Sequence, residues 1–523
     1  MQAAGSAYDL LVVGGGVFGA GAAREAALNG WSVCLAERGD LGEETSSRSS
    51  KLLHGGLRYL ERGDFGLVRE SLRERAGTAR LAPHLARPLP FLAPVYRGAR
   101  VGPLKLRAGL FLYDLLARPE AEMRRGYLGA DEALRAEPRL NPAGLRGAGR
   151  YFDYQTFDSR LTAEIAAAAA LRGAKILLRT EVEEVKGGPP DVFSIALRDR
   201  RSGEGFTVRA KAVIAAVGPF SDLFRTRRTP GATKEARLTS GAHILLPAAL
   251  RSHGLVLTAR SDGRVFFVLP FEGRTLIGTT DRDFAGDPAD PHASAEDVRY
   301  LLDEANAVLA GPPYRTEDVI ASFAGVRTLA LAGTGTPSST SREQRVFEEP
   351  RGLVHIVGGK LTTWRPIARS LVLLAARTVG RPLDDGALGR TVPLPGGDDR
   401  GLAAGGPSDL AEAERLGRRL GLAEPTIRRL LGRYGCRAQD VVRLVENDPR
   451  LAEPVGPTVP ELAAELVHLV RNEFVETATD ALRRRLPRLL VDRVSASDLA
   501  RTAALIKDAR DGTDAATSPR PPR

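Results

Sequence analysis

The sequence predicts an α/β chain in three parts: a nucleotide-binding unit, a β-rich second unit and a C-terminal helical unit. Three observations carry that reading. A strand, a glycine turn, a helix, a second strand and an acidic residue follow one another without interruption between Tyr8 and Glu37. Short apolar runs bounded by Gly, Pro and charged residues fill the stretch from 231 to 328. After Leu383 the pattern shifts to apolar residues spaced three and four apart.

With 523 residues, 43% of them apolar and 27% charged, the chain can bury more than one core and is too balanced to be disordered or fibrous. The net charge is +11, and nearly all of the basic residues are Arg. Arginine binds phosphate and carboxylate in bidentate fashion, so this charge fits an anionic substrate, a nucleic acid or an anionic membrane surface without choosing among them. The two cysteines, Cys34 and Cys436, stand far apart and without a CxxC or a His cluster. That pattern suggests neither a disulfide framework nor a zinc site, and it fits a reducing compartment. The first ten residues lack a basic n-region and an apolar h-region, and no run of about 18 to 20 apolar residues follows elsewhere. The expectation is a chain with neither an export signal nor a membrane span.

Residues 8–13 are the continuous apolar run of a buried parallel strand and lead directly into a glycine-rich turn at 14–21. A helix is expected over 22–29 and a second strand over 32–36, ending at Glu37. Gly14 permits the tight turn, Gly16 lets the backbone approach a pyrophosphate, and Gly19 allows close helix packing. The helix N-terminus offers unpaired N–H groups to phosphate, and Glu37 can accept from a ribose diol. NAD and FAD satisfy this unit equally. Further along, 355–357 reads as a strand ending in Gly358 and Gly359, with a helix expected over 360–376. Its N-terminus and Lys360 suit an anion developing at the carboxyl edge of the sheet, such as the charge at N1 and O2 of a reduced flavin.

The β-rich stretch divides into strands at 242–246, 254–257, 264–269 and 275–278, which suit an antiparallel sheet over the cofactor. Helical patterning is expected over 412–420, 425–434, 459–474 and 497–507, with a polar, disordered tail at 511–523. Residues 97–113 interleave Arg97, Arg100, Lys105 and Arg107 with apolar residues. They read either as an interfacial segment or as a helix with a solvated basic face.

The hydroxyl-rich stretch from Ser46 to Leu60, running Ser46-Ser47-Arg48-Ser49-Ser50-Lys51-Leu52-Leu53-His54-Gly55-Gly56-Leu57-Arg58-Tyr59-Leu60, resembles the signature of the FAD-dependent, quinone-linked glycerol-3-phosphate dehydrogenases. These are flavoproteins of the D-amino-acid-oxidase-like superfamily. Similar segments follow in order at 212–222, with Ala215 and Phe220 in place of the usual Asn and Trp, and at 240–244, 276–281, 323–329, 340–343, 357–365 and 470–478. The resemblance implies an α/β fold with a Rossmann-like FAD-binding domain, a β-rich substrate domain and a C-terminal α-helical domain. The FAD-binding parts fall at about 7–80, 150–225 and 325–380, the substrate parts at about 81–149 and 226–324, and the helical domain at 383–510.

The same resemblance implies oxidation of sn-glycerol 3-phosphate to dihydroxyacetone phosphate, by hydride transfer from C2 to flavin N5. His243 is then the base, since imidazole titrates near neutral pH, and Thr279 or Thr280 positions the hydroxyl. Arg58, Arg327, Arg342 and Lys360 form a cationic socket for the substrate phosphate, with Tyr59 as a neutral donor; His243, Arg327 and Lys360 form the catalytic group. Thr45, Ser46, Ser47, Ser50, Lys51, Leu52, His54, Gly218, Gly359, Leu361 and Thr362 join Gly14, Gly16, Gly19 and Glu37 in holding FAD, and no metal is implied. Implied partners are a quinone, a membrane surface and a second copy of the chain, at the inner face of the cell membrane. Alternatives are an oxidase that uses oxygen and an amine oxidase of the same superfamily. A nucleic-acid-binding flavoprotein fits less well, because aromatic residues are only 6% of the chain and are not interleaved with cations.

Overall fold

The computed structural model describes residues 5–60, 63–117, 125–331, 344–398 and 408–514. The first strand, Ala7–Val13, is apolar from Leu10 onward and buried on both faces, as a central parallel strand must be. It pairs in parallel with Val33–Ala36 on one edge and with Gly205–Ala215 on the other. Leu353–Val357 adds in parallel to Gly205–Ala215, and Lys175–Leu177 to Val33–Ala36. Antiparallel strands Thr180–Gly187, Phe193–Asp199 and Arg345–Glu348 complete the sheet. The register sets Val13 opposite Ala36 and Ala215, and Ala215 opposite His355. The chain therefore leaves the sheet at Gly14, Glu37, Ala216 and Gly358 along a single carboxyl edge.

The first helix, Val17–Leu28, starts five residues before the expected position. Gly19 and Gly21, which read as turn residues, lie inside it and are its contact points. A Cβ on Gly19 would overlap the carbonyl oxygen of Gly14, and one on Gly21 would press on Trp364 and Ala368 of the helix Trp364–Val379. Close packing outweighs the poor helix propensity of glycine here. The later helix, by contrast, begins after its expected start at 360, at Trp364, because Leu361–Thr363 form a 3₁₀ turn that carries the chain from Lys360 into it.

A second sheet crosses this cofactor layer. Its strand Ala236–Pro247 pairs antiparallel with Arg274–Gly278 on one side and Ala321–Ala330 on the other, which sets His243 in one row with Gly278 and Phe323. Val265–Phe271, Gly254–Thr258, Ala86–Tyr96, Leu145–Thr156 and Leu52–Leu53 follow in order, with one parallel pairing between Gly254–Thr258 and Ala86–Tyr96. The strands Leu145–Thr156 and Ala321–Ala330 run across the domain boundaries expected near 150 and 325, since their pairing continues through Arg150 and Gly325.

The C-terminal helices Asp409–Arg419, Glu424–Tyr434, Ala438–Asn447, Ala463–Glu473 and Ala496–Asp514 enclose a separate core that includes Leu416, Leu430, Val441, Leu466 and Ile506. Residues 459–462, expected to be helical, form a strand paired with Pro454–Gly456, and the helix begins at Ala463. Val459 is β-branched and Pro460 cannot sit inside a helix, which accounts for the later start. Residues 511–514, expected to belong to the tail, continue the last helix, and the rest of that tail lies outside the described residues. Among the described residues no helix is long and apolar enough to cross a membrane.

Replacing Gly19 with Ala is expected to push the first helix off the first strand at a cost of about 1 to 3 kcal/mol, as overpacking does. Thermal unfolding of the apoprotein measures it, and an unchanged midpoint contradicts the contact.

Candidate active site

The carboxyl edge opens into a cleft of about 400 Å³. At one end, Glu37 stands half-buried beside the cleft at the tip of the second strand. Its carboxylate accepts from the N–H of Gly15 at 2.6 Å and of Gly39 at 2.7 Å. Burial pushes its pKa up to about 7, against those two N–H groups, which pull it down. Beside it, the Arg38 guanidinium lies over the Phe220 ring, 4.0 Å from the centroid. In the middle, Gly14 adopts φ +101° and packs against the Ala216 carbonyl, and the N–H of Val17 donates to Ser46 Oγ at 3.0 Å.

The far end is built on the second sheet. His243 is buried, with its ring stacked on Phe323 at 4.9 Å and 12°, and Nε2 lies 2.9 Å from Ser50 Oγ. Gly278, opposite it in register, leaves the space that the ring occupies. Burial above all, then the charges of Arg327 and Lys51, hold His243 well below its ordinary value, so it is neutral and does not titrate near neutral pH as the sequence suggested. Arg327 donates to Asp281 Oδ1 at 2.8 Å and to Thr279 Oγ1 at 2.7 Å, and Gly241 gives its guanidinium room. Thr362 Oγ1 accepts from the His54 N–H at 3.2 Å and so ties the 3₁₀ turn to the hydroxyl-rich loop.

These features fit a flavin dinucleotide. An acid for the ribose diol, a glycine cradle at a helix N-terminus for the pyrophosphate and a long ring-sized chamber lie along one cleft. A family model described as FAD dependent oxidoreductase matches residues 9–369, and one described as the C-terminal domain of alpha-glycerophosphate oxidase matches 388–517. The aerobic glycerol-3-phosphate dehydrogenase of Staphylococcus saprophyticus is 35% identical over 489 residues, 92% of this chain and 87% of that protein. The chain belongs to the FAD-dependent glycerol-3-phosphate dehydrogenase family. Glycerol-3-phosphate dehydrogenase 2 of Mycobacterium tuberculosis is also 35% identical, over 92% of this chain and 80% of its own. Among solved structures, the glycerol-3-phosphate dehydrogenase from Bacillus halodurans complexed with FAD superimposes with a TM-score of 0.76 at 28% identity, covering 98% of this chain and 95% of that one. FAD is the cofactor of this flavoprotein.

Of the residues singled out in the sequence, the cleft gathers Gly14, Gly16, Glu37, Thr45, Ser46, Ser50, Leu52, His54, Gly218, Gly359, Leu361 and Thr362. It also gathers His243, Thr279, Arg327 and Lys360. Four are placed elsewhere. Gly19 supports the cradle from within the helix. Ser47 Oγ turns back to the carbonyls of Glu43 and Glu44. Lys51, expected to touch the cofactor, is fully buried in an ion pair with Asp158 at 2.7 Å. The Thr280 hydroxyl, expected to meet substrate, accepts from the Ala242 N–H and holds the turn instead. Arg342 and the side chains of Arg58 and Tyr59 lie outside the described residues.

Sequence reasoning missed Asp281 and Phe323, although Asp281 ends a matched segment and Phe323 opens another. It also read Ser50 as a cofactor contact only, whereas its hydroxyl holds His243.

In a histidine-labelled NMR titration, with the resonance assigned by its loss in His243→Gln, the His243 ring is expected to stay neutral through pH 6.5 and protonate well below it. The unfolded chain takes up that proton near 6.5, so this group's contribution to stability is complete above pH 6.5 and is lost as pH falls below it. A midpoint at or above 6.5 contradicts the environment described.

Proposed function

We propose that this flavoprotein oxidises sn-glycerol 3-phosphate to dihydroxyacetone phosphate and passes the electrons to a membrane quinone. One observation carries the substrate oxidation in this reading and does not bear on the acceptor: the cleft that contains the nucleotide cradle also contains a neutral histidine beside an aimed arginine. Bound FAD supplies the acceptor for the hydride that leaves C2.

His243, neutral before substrate arrives, takes the C2 hydroxyl proton; the burial and cations that keep it neutral also weaken it as a base, and the negative charge of the substrate bound at Arg327 offsets that effect. Ser50 at 2.9 Å and the Phe323 stack hold its plane. Arg327 binds the anionic substrate. Asp281 and Thr279 fix its guanidinium in advance, so less rotamer freedom is lost on binding, while the Asp281 charge partly offsets its own. The Thr279 hydroxyl orients the substrate alcohol from the same hydrogen-bonded group. Lys360, placed by Gly358 and Gly359 at the cleft, adds positive charge where negative charge develops. Arg58, Tyr59 and Arg342 complete the phosphate socket in this proposal.

Anaerobic addition of glycerol 3-phosphate is expected to bleach the flavin, and glycerol at the same concentration to do so poorly. Equal rates overturn the phosphate socket. Arg327→Ala is expected to lower kcat/KM by about 2 to 4 kcal/mol, roughly 30- to 900-fold. An unchanged kcat/KM removes Arg327 from the site.

An oxygen-using reading has one observation in its favour, the match of residues 388–517 to a C-terminal domain described for alpha-glycerophosphate oxidase. Reoxidation of the reduced enzyme by a ubiquinone analogue and by oxygen separates the two.

The quinone reading also places the chain on the inner face of the cell membrane, and the helix Pro103–Ala117 supports it. Leu104, Phe111 and Leu115 lie on one side of this helix and are 81%, 72% and 67% exposed. Spacings of seven and four keep them in one stripe. Lys105 and Arg107 flank that stripe, Arg97 and Arg100 precede it, and Tyr113 faces inward. Each cation contributes about 1 kcal/mol toward an anionic leaflet, and burial of the stripe adds to this. Flotation is expected with anionic liposomes, weakened by high salt and by Phe111→Ser. Failure to float on either anionic or neutral vesicles overturns the membrane assignment.

A further inference from the structure

The C-terminal domain contributes no described residue to the cofactor cleft, yet one turn of it grips both arms of the loop that lines that cleft. Asp480–Arg485 form a π-helical turn, in which Asp480, Arg484 and Arg485 are buried. Such turns are rare and often mark functional positions.

Arg485 reaches Asp40 with two parallel hydrogen bonds, Nη1 to Oδ2 at 2.9 Å and Nη2 to Oδ1 at 2.8 Å. Arg484 Nε meets the same carboxylate at 2.5 Å, and its Nη2 meets Asp480 at 2.5 Å. Asp40 is fully buried. Burial pushes its carboxyl up, but the two guanidinium groups outweigh that and hold it below the usual carboxylate range. Its N–H donates to Glu43 Oε2 at 3.0 Å, and the Glu43 carbonyl accepts from Ser47 Oγ at 2.9 Å. Asp40 is thus the root of the arm that carries Glu37, Glu43 and Glu44 along the cleft.

The second arm is fixed through the helix Asp158–Ala170. The Ser49 N–H and Oγ, and Lys51 Nζ, all end on Asp158, at 3.1, 2.6 and 2.7 Å. The next residue, Ser159, donates from Oγ to the Arg484 carbonyl at 2.8 Å, and Arg160 pairs with Glu473 at 2.5 Å. One turn of the C-terminal domain therefore meets the arm around Asp40 directly and the arm around Ser50 through two neighbouring residues.

We propose that Arg484 and Arg485 are positioning residues that form a latch, through which the C-terminal domain sets the affinity of this flavoprotein for FAD. With the latch closed, the loop from Glu37 to Lys51 is ordered before the cofactor arrives. Without it, that ordering is charged against binding, and the dissociation constant rises. The inference rests on the FAD-dependent family, not on the choice of substrate or acceptor.

The test is titration of FAD into full-length apoprotein, followed by quenching of flavin fluorescence, alongside the thermal midpoint of each apoprotein. Arg485→Met is expected to raise the FAD dissociation constant at least tenfold, with Arg485→Lys recovering part of the loss. Arg433→Met breaks the buried pairs of Arg433 with Glu461 and Glu465 inside the C-terminal domain. It is expected to lower the thermal midpoint by a similar amount while changing the dissociation constant less than twofold. Equal losses of affinity in Arg485→Met and Arg433→Met, or no loss in Arg485→Met, overturn the latch. If Arg485→Met does not fold, Ser159→Ala decides: a two- to fivefold rise supports the proposal, and an unchanged constant overturns it.

Discussion

The parallel register of the first sheet is the constraint on which the rest of the molecule depends. Because Val13 stands level with Ala36 and Ala215, the cradle at Gly14, the acid at Glu37 and the turn at Gly218 emerge side by side. The helix that follows the cradle can bring its N–H groups to the same edge only because Gly19 lets it lie against the Gly14 carbonyl. Each of these residues is ordinary alone. Their alignment turns three separate turns into one cleft with a phosphate-binding centre.

The second sheet adds the chemistry by the same means, register. A single row of three antiparallel strands brings Phe323 against one face of His243 and leaves a glycine beside its ring. The cost of burying this imidazole is met by keeping it neutral. Two nearby cations, Arg327 and Lys51, reinforce that state, and each is matched by a carboxylate, Asp281 and Asp158. The site is therefore dense in charge but nearly balanced within each pair, which allows cations to stand so close to an enclosed histidine.

The C-terminal domain joins the rest of the molecule through apolar contacts at Leu394, Phe474, Leu490 and Val491 and, at the cofactor layer, through buried charges. Asp40 with Arg484 and Arg485, and Arg160 with Glu473, are all buried at the junction. Removing one partner of such a group leaves an uncompensated charge in the interior, so the junction tolerates little sliding. A lipid-like seam would permit several registers. A bidentate arginine on a carboxylate permits one.

The sequence by itself determined what neighbouring residues encode. The apolar run before Gly14, the glycine spacing and Glu37 defined the nucleotide unit, and the segment from Ser46 to Leu60 carried the family. Those motifs also located His243, Thr279, Arg327 and Lys360, which composition alone hides in a chain so rich in arginine. Local pattern failed where packing reversed a local preference, as at Gly19 and Gly21, which read as loop and lie inside a helix. The resemblance failed at Lys51, which it implies to be a cofactor contact and whose charge is instead spent on Asp158. What only the tertiary structure decided is which distant segments meet: Phe323 on His243, Asp281 on Arg327, and Arg485 on Asp40 across 445 residues of chain. Helix and strand periodicity is a property of adjacent residues and can be read along the chain. Pairing between remote side chains is set by the packing of whole layers, and it leaves no periodic trace in either partner's surroundings.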